Sequence, residues 1–183
     1  MLSDSGSEFP SPSSKKSKEE LGELRKLIDK LDDIKKDLRE SGDNHDEVID
    51  EAVSYISRLL IVRCCGYLEF ILSEASKVYS VRSAYNLVGY ISYLEKRHKG
   101  AKADIPRIVD ILENLLNSSL DSSTKNQLRE KKSAIDSMIK IRNLVSHGQS
   151  EGSTRRSAIS YYDTTIIVSE IIERVLNTKN KTT

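Results

Sequence analysis

Three polar side chains near the end of a predicted helix, Arg142, Asn143 and His147, combine residue types that can cleave a phosphodiester bond. Histidine exchanges protons near neutral pH, as general acid or base catalysis requires. The planar guanidinium of arginine binds two phosphate oxygens at once and stabilises charge that develops around phosphorus. The asparagine amide can orient either the phosphate or the imidazole ring. RNA carries its own nucleophile, the 2′-hydroxyl, so RNA cleavage needs no nucleophile from the protein.

The apolar pattern of the same helix makes Arg142 unusual. A core stripe runs through Leu128 and Ile135, and the next seven-residue step lands on Arg142. An arginine at a core position must be paired, must reach solvent or must face a cleft. On a continuous helix, Arg142 and His147 lie about 140° apart. They converge only if the helix unwinds near Ser146 to Gly148 or if a second copy of the chain faces the first.

The elements that must position these residues are all predicted to be helices. Apolar residues recur at intervals of three and four, and only three prolines interrupt the chain. The predicted helices span residues 18–41, 46–79, 83–96, 105–117, 122–146 and 157–177. This pattern predicts an all-α fold, an up-and-down helical bundle with an extra N-terminal amphipathic helix.

The predicted domain organisation has four parts. Residues 1–17 are Ser-rich and are predicted to be disordered, and Gly6–Phe9 within them resembles the remnant of a cloning linker. Residues 18–41 form the amphipathic helix, which either lies against the domain or pairs with its copy in a dimer. The helical domain covers residues 43–177, and residues 178–183 form a polar tail.

Composition excludes several classes of protein. The 183 residues carry 29 Lys and Arg against 28 Asp and Glu, a net charge of +1 that argues against wholesale wrapping of nucleic acid. The adjacent Cys64 and Cys65 offer no disulfide framework, and His45, His98 and His147 are too scattered for a zinc site. No apolar stretch reaches the ~18 residues of a membrane span, and no signal-peptide pattern begins the chain. We expect a soluble cytoplasmic protein with no metal and no cofactor.

The motif also carries a family resemblance. Residues Ile141–Gly148 resemble the Arg-x(4–6)-His signature of the HEPN superfamily, in the form with Asn after Arg and Gly after His. The preceding Ala134–Ile139 and the earlier Tyr67–Ile71 are similar to the branch named RiboL-PSP-HEPN. The resemblance covers roughly residues 48–176 and leaves the N-terminal helix outside.

The resemblance implies a homodimeric bundle whose two motifs line one cleft. Many such proteins are metal-independent endoribonucleases that serve as toxins or defence effectors. Arg142 and His147 would then be the catalytic pair, Asn143 their polar companion, and Glu69 a further polar residue contributed by an earlier core helix. RNA and a second copy are the implied partners, and a ribonuclease dangerous to its host implies an antitoxin or regulatory protein as well.

Alternative interpretations remain for these residues. Glu69 can instead form a buried pair with Arg63 or lie at an exposed edge. The basic loop at residues 96–102 and the pair Arg155 and Arg156 can contact an RNA backbone or can simply be solvated. Other members of the superfamily have lost activity, so a non-catalytic module that binds a nucleotide or a protein partner is the alternative function. A third is an assembly subunit that acts through its N-terminal helix.

Overall fold

The computed structural model describes residues 9–42, 45–82, 102–149 and 153–179. This part of the chain consists of helices and short connections and contains no strand, which confirms the predicted all-α fold. The predicted helix at 83–96, the basic loop up to residue 101 and the ends of the chain lie outside the described residues. None of the described helices is long and apolar enough to cross a membrane.

The first helix, α1, spans Pro12–Ser41 and begins earlier than the sequence predicts. Ser11 caps it by accepting a hydrogen bond from the backbone N–H of Ser14, and Pro12 occupies the first turn. Phe9 is only 5% exposed, and Ser14 is fully buried. The prediction of disorder up to residue 17 was therefore wrong for the described residues from Phe9 onward, because this Ser-rich segment supplies a helix cap and a buried anchor.

The second helix, α2, spans Asp46–Arg82 and forms the centre of the bundle. Its fully buried side chains include Leu60, Ile61 and Leu68. The chain reverses between α1 and α2, and ion pairs between Arg39 and Asp46 (2.8 Å) and between Arg63 and Glu20 (2.6 Å) join the two helices along their length. Two apolar residues of α1, Leu21 and Ile28, are buried against the core, so α1 lies on the domain.

The third helix, α3, spans Ile105–Leu116 and has the predicted cap. The Asp104 side chain accepts a hydrogen bond from the backbone N–H of Arg107 at 3.0 Å. It is followed by Asn117, which adopts φ 48° and ends the helix.

The predicted helix at 122–146 is divided in two, α4 (Ser122–Glu130) and α5 (Lys132–Ser146). At the break, the N–H of Lys131 bonds to the carbonyl of Leu128 (3.0 Å), a tighter turn than an α-helix makes. No glycine or proline signals this break. The last helix, α6, spans Arg155–Lys179 and packs against α2 together with α5.

Candidate active site

Arg142 lies on the core side of α5, as its place in the apolar stripe predicts. Its side chain is 23% exposed, and its Nη2 donates a hydrogen bond to Oε1 of Glu69 on α2 at 2.9 Å. The Nε atom is buried and has no hydrogen-bond partner among the residues that the structure describes. Arg142 is therefore accommodated at a core position by its ion pair with Glu69. The pair uses only part of the guanidinium.

One alternative for Glu69 was a buried pair with Arg63, but the structure gives Glu69 a different partner. Arg63, the expected partner, pairs with Glu20 of α1. The expectation of a Glu69–Arg63 pair was wrong because these residues point to different neighbours: Arg63 faces α1 and Glu69 faces α5. Glu69 thus contacts Arg142 of the candidate site.

His147 lies at the exposed C-terminal end of α5, where the backbone makes a defined cap. The N–H groups of Gly148 and Gln149 bond to the carbonyls of Val145 (3.1 Å) and Leu144 (3.0 Å), which is the Schellman pattern. This pattern requires a left-handed residue after the cap, and Gly148 supplies it with φ 71°. The predicted helix end at Gly148 is confirmed, and it leaves the imidazole on the surface.

Asn143 lines a surface depression of about 320 Å³ between α5 and the start of α3. Lys102, Asp104 and Lys140 line the same depression. Sequence reasoning did not single out Lys140, although its spacing gives a signal: residues three and seven positions apart share one helix face, so Lys140, Asn143 and His147 form a ridge along α5.

The two sides of the site do not converge within one chain. The N–H of His147 still bonds to the carbonyl of Asn143 (3.1 Å), so helical geometry continues up to His147. Arg142 and His147 consequently keep their angular separation of about 140° around α5. Unwinding of the helix, the first of the two routes to convergence, does not occur before Gly148.

The two arginines for which RNA contact and simple solvation were both left open have different surroundings. Arg155 forms ion pairs with Asp29 (3.2 Å) and Asp32 of α1, which engage its charge. Arg156, the next residue, is exposed.

The two cysteines next to the site are free thiols that are buried in the core. Burial raises the pKa of the Cys65 thiol to about 12, an effect that the positive charge of Arg142 partly offsets. Burial also raises the pKa of the neighbouring Cys64 to about 12. Within the described ranges, no three His, Cys, Asp or Glu side chains are grouped so that they could hold a metal ion.

Comparison with known families shows that residues 17–178 match the RiboL-PSP-HEPN family. The match includes nearly all of α1, so the expectation that the N-terminal helix lies outside the family was wrong. No curated protein and no solved structure matches the chain.

Proposed function

Because the chain belongs to the RiboL-PSP-HEPN family, we propose that it is an endoribonuclease that cleaves RNA without a metal ion at a site containing Arg142, Asn143 and His147. The observation that carries the proposal is the Arg142–Glu69 pair: an arginine at a core position is held by a carboxylate at a partly open surface, on the same helix that presents an exposed histidine. A purely structural helix has no need of both groups.

The chemistry follows from the 2′-hydroxyl. Its oxygen attacks phosphorus while the bond from phosphorus to the 5′ oxygen breaks, leaving a 2′,3′-cyclic phosphate and a 5′-hydroxyl end. One proton leaves the 2′-hydroxyl and another reaches the departing 5′ oxygen. His147 carries one of these transfers, Arg142 stabilises the charge on the pentacoordinate phosphorus, and Asn143 positions the phosphate or the ring.

The proposed enzyme is a homodimer with a shared cleft. The angular separation of Arg142 and His147 around α5 supports this, because one phosphate cannot easily contact both groups of a single copy. In a two-fold pair, Arg142 of one copy faces His147 of the other, so the dimer contains two sites, each with one arginine and one histidine.

RNA reaches the cleft along basic side chains near the motif. Lys140 and Lys102 line the depression beside Asn143, and Arg156 is exposed where the next helix begins. Arg155 is the weaker candidate of the predicted pair because Asp29 and Asp32 engage it. Since uncontrolled RNA cleavage harms its host, the proposed biological role is that of a toxin or defence effector acting on cytoplasmic RNA, restrained by an antitoxin or regulatory protein.

The test is incubation of the purified protein with labelled single-stranded RNA in EDTA, beside Arg142→Ala and His147→Ala. Arg129→Ala and His45→Ala are matched controls, since both residues are exposed and lie outside the motif. We expect the wild type and both controls to cleave RNA, to leave a cyclic phosphate and to spare an all-DNA strand. Loss of cleavage in EDTA, or equal cleavage by all five proteins, contradicts the proposal.

The second candidate function is a non-catalytic module that binds a nucleotide or a protein partner. The geometry that favours it is again the separation of Arg142 from His147 in a single chain, which leaves no complete catalytic site if the protein is a monomer. An absence of cleavage by every variant, with retained binding of RNA or nucleotide by the wild type, supports this module.

A further inference from the structure

The depression of about 320 Å³ between α5 and the start of α3 contains polar side chains that are not paired with each other. We call it the Asn143 depression; its lining residues are Lys102, Asp104, Asp136, Ile139, Lys140 and Asn143. The two lysine ammonium groups and the Asn143 amide form no hydrogen bond or ion pair with any residue that the structure describes. These groups are therefore available to a ligand.

Asp104 supplies the depression with an acceptor whose orientation is fixed. Its Oδ1 accepts a hydrogen bond from the backbone N–H of Arg107 at 3.0 Å and so caps α3. Its Oδ2 accepts no hydrogen bond within the described part of the chain. The second carboxylate of the lining, that of Asp136, is instead engaged by Lys132. Asp104 thus offers a ligand one acceptor that is already positioned by the cap.

Ile139 gives the same depression an apolar part. This side chain is 7% exposed, so most of it is in the core and the remainder lines the depression. Ligand sites combine apolar surface with a few polar groups that fix orientation, and their volumes begin at about 300 Å³. A planar ring can lie against Ile139 while its edge meets Asp104 and Asn143.

The mixture of charges narrows the class of ligand. Two lysines repel a divalent cation, and the Asp104 carboxylate repels a free anion that lies against it. A ligand that suits every group carries an anionic part for the lysines and a hydrogen-bond donor for Asp104. A nucleotide has both when its base is adenine, cytosine or guanine, because each of these bases carries an exocyclic amino group.

The position of the depression on α5 favours a nucleotide that belongs to an RNA strand. Asn143 and His147 are four residues apart, which is about 6 Å along the helix axis and about 40° around it. Lys140 lies on the same face of α5, about one turn further from His147. A strand whose phosphate contacts His147 can therefore extend along α5 and place a neighbouring base in the depression.

We propose that the Asn143 depression is a base subsite for the RNA strand and that it selects bases with an exocyclic amino group over uracil. Asp104 accepts a hydrogen bond from the amino group, and the Asn143 amide bonds to the adjacent ring atom. Lys102 and Lys140 contact the phosphates on either side of this base. The placement of the cleaved bond at His147 rests on the proposed function, whereas binding of the base does not require catalysis.

Cytosine and uracil give the sharpest comparison because their rings have the same size and differ in what they present at position 4. The N4 amino group of cytosine donates to Asp104 Oδ2. The O4 atom of uracil is an acceptor, so it would face the carboxylate oxygen with no proton between them. A missing hydrogen bond to a charged acceptor weakens binding by at least about fivefold.

The first experiment measures binding of labelled 2′-O-methyl oligo(C) and oligo(U) to the full-length chain by fluorescence anisotropy. The 2′-O-methyl group removes the nucleophile, so the strands stay intact whether or not the protein cleaves RNA. We expect oligo(C) to bind at least about fivefold more tightly than oligo(U). Equal binding, tighter binding of oligo(U) or binding of neither strand overturns the proposal.

Asp104→Asn changes the acceptor while it keeps the helix cap. Asparagine caps helices about as well as aspartate. With its Oδ1 still bonded to the N–H of Arg107, its amide nitrogen takes the place of Oδ2 and donates to O4 of uracil. We expect the preference for oligo(C) to disappear or to reverse. A preference as large as that of the wild type overturns the proposal.

Asp121→Asn is the matched control for this substitution. Asp121 caps α4 in the same way, by accepting a hydrogen bond from the backbone N–H of Thr124 at 2.8 Å, and it lies outside the depression. We expect this variant to keep the preference for oligo(C). Circular dichroism checks that both variants are folded.

Lys140→Ala tests the phosphate contacts through the salt dependence of binding. Each phosphate contact on a single strand contributes about 0.7 to the slope of log affinity against log salt concentration. We expect the slope of Lys140→Ala to be shallower by about this amount, with the preference for oligo(C) retained. Lys30→Ala, which removes an exposed lysine of α1, is the control and should keep the wild-type slope. An unchanged slope for Lys140→Ala overturns the placement of the strand along α5.

Cleavage assays with unmodified RNA separate this subsite from the proposed function. A wild type that prefers oligo(C) but cleaves no RNA leaves the subsite standing and removes the enzyme. Cleavage that requires Arg142 and His147, without any preference in binding, leaves the ribonuclease standing and removes the subsite.

Discussion

Arg142 on α5 donates a hydrogen bond to Glu69 on α2 at 2.9 Å, although the two residues are 73 positions apart in sequence. The two side chains are 23% and 28% exposed, so water screens their charges only in part. The pair therefore fixes the helix that carries the motif to α2, the central helix of the bundle. It also accounts for an arginine at a position where the apolar pattern calls for a core residue.

Glu69→Ala tests whether this pair positions Arg142. Removing the carboxylate leaves a half-buried guanidinium without its charge partner, so we expect the free energy of unfolding to fall by about 1–3 kcal/mol. If Glu69 orients Arg142 for catalysis, kcat falls and KM changes little. Glu69→Gln keeps a hydrogen-bond acceptor and should recover much of both losses. Urea unfolding and cleavage kinetics measure the two effects. A Glu69→Ala protein with unchanged stability and unchanged kcat would show that the pair neither stabilises the fold nor positions Arg142.

Gly148→Ala tests the helix end that presents His147. The left-handed φ of 71° strains any residue with a Cβ by about 1 kcal/mol or more, although the space around Gly148 is open. We expect a lower melting temperature and several-fold slower RNA cleavage, because the end of α5 shifts together with the imidazole. Asparagine adopts this conformation more readily, so Gly148→Asn should lie between the wild type and Gly148→Ala. An alanine variant as stable and active as the wild type contradicts the role assigned to this cap.

Local signals in the sequence were sufficient for several elements. Asp104 beside Pro106 marks the start of α3, and Gly148 marks the end of α5, because capping depends on residues within a few positions of each other. The position of Arg142 in the apolar stripe also predicted that it must be paired, reach solvent or face a cleft, and it is paired with Glu69. Each of these features depends on the sequence within or beside a single helix, and the structure agrees with each.

Interactions between segments far apart in the sequence were harder to predict. The Ser-rich start of the chain gave no sign of order, because Ser11 and Ser14 are held by the Glu74 carboxylate, which accepts a hydrogen bond from Ser11 at 2.7 Å. The partner of Glu69 depends on which way α2 faces each neighbour, and that orientation is set by packing. The break at Lys131 likewise follows from how α4 and α5 pack, since local composition favours a continuous helix.

The buried thiols predict how stability depends on alkaline pH. Cys64 and Cys65 each have a pKa of about 12 in the folded chain, raised by burial from an ordinary value near 9. Above pH ~9 the unfolded chain therefore releases protons that the folded chain retains, so the free energy of unfolding falls as pH rises from about 9 towards about 12. Tyr67, whose pKa is raised by burial to about 12, acts in the same direction above pH ~10.

Urea unfolding at a series of pH values between 7 and 11 measures this dependence. The control is the double variant Cys64→Ala/Cys65→Ala, which should lose less stability over the alkaline range, although it starts from a lower value because two core side chains are shortened. Equal alkaline losses in the wild type and the double variant would assign the effect to other groups, such as the lysine ion pairs.

Mixing two inactive variants tests whether the catalytic site is shared between copies. If Arg142 of one copy acts with His147 of the other, a heterodimer of Arg142→Ala and His147→Ala contains one intact site and one that lacks both groups. Random exchange at equal concentrations makes half of the dimers mixed, so we expect about a quarter of the wild-type cleavage rate. The double variant Arg142→Ala/His147→Ala, mixed with either single variant, is the control and should stay inactive because no combination restores an intact pair. Fluorescence energy transfer between labelled copies establishes that exchange has occurred. Complete exchange without recovered cleavage shows that each site draws Arg142 and His147 from the same copy.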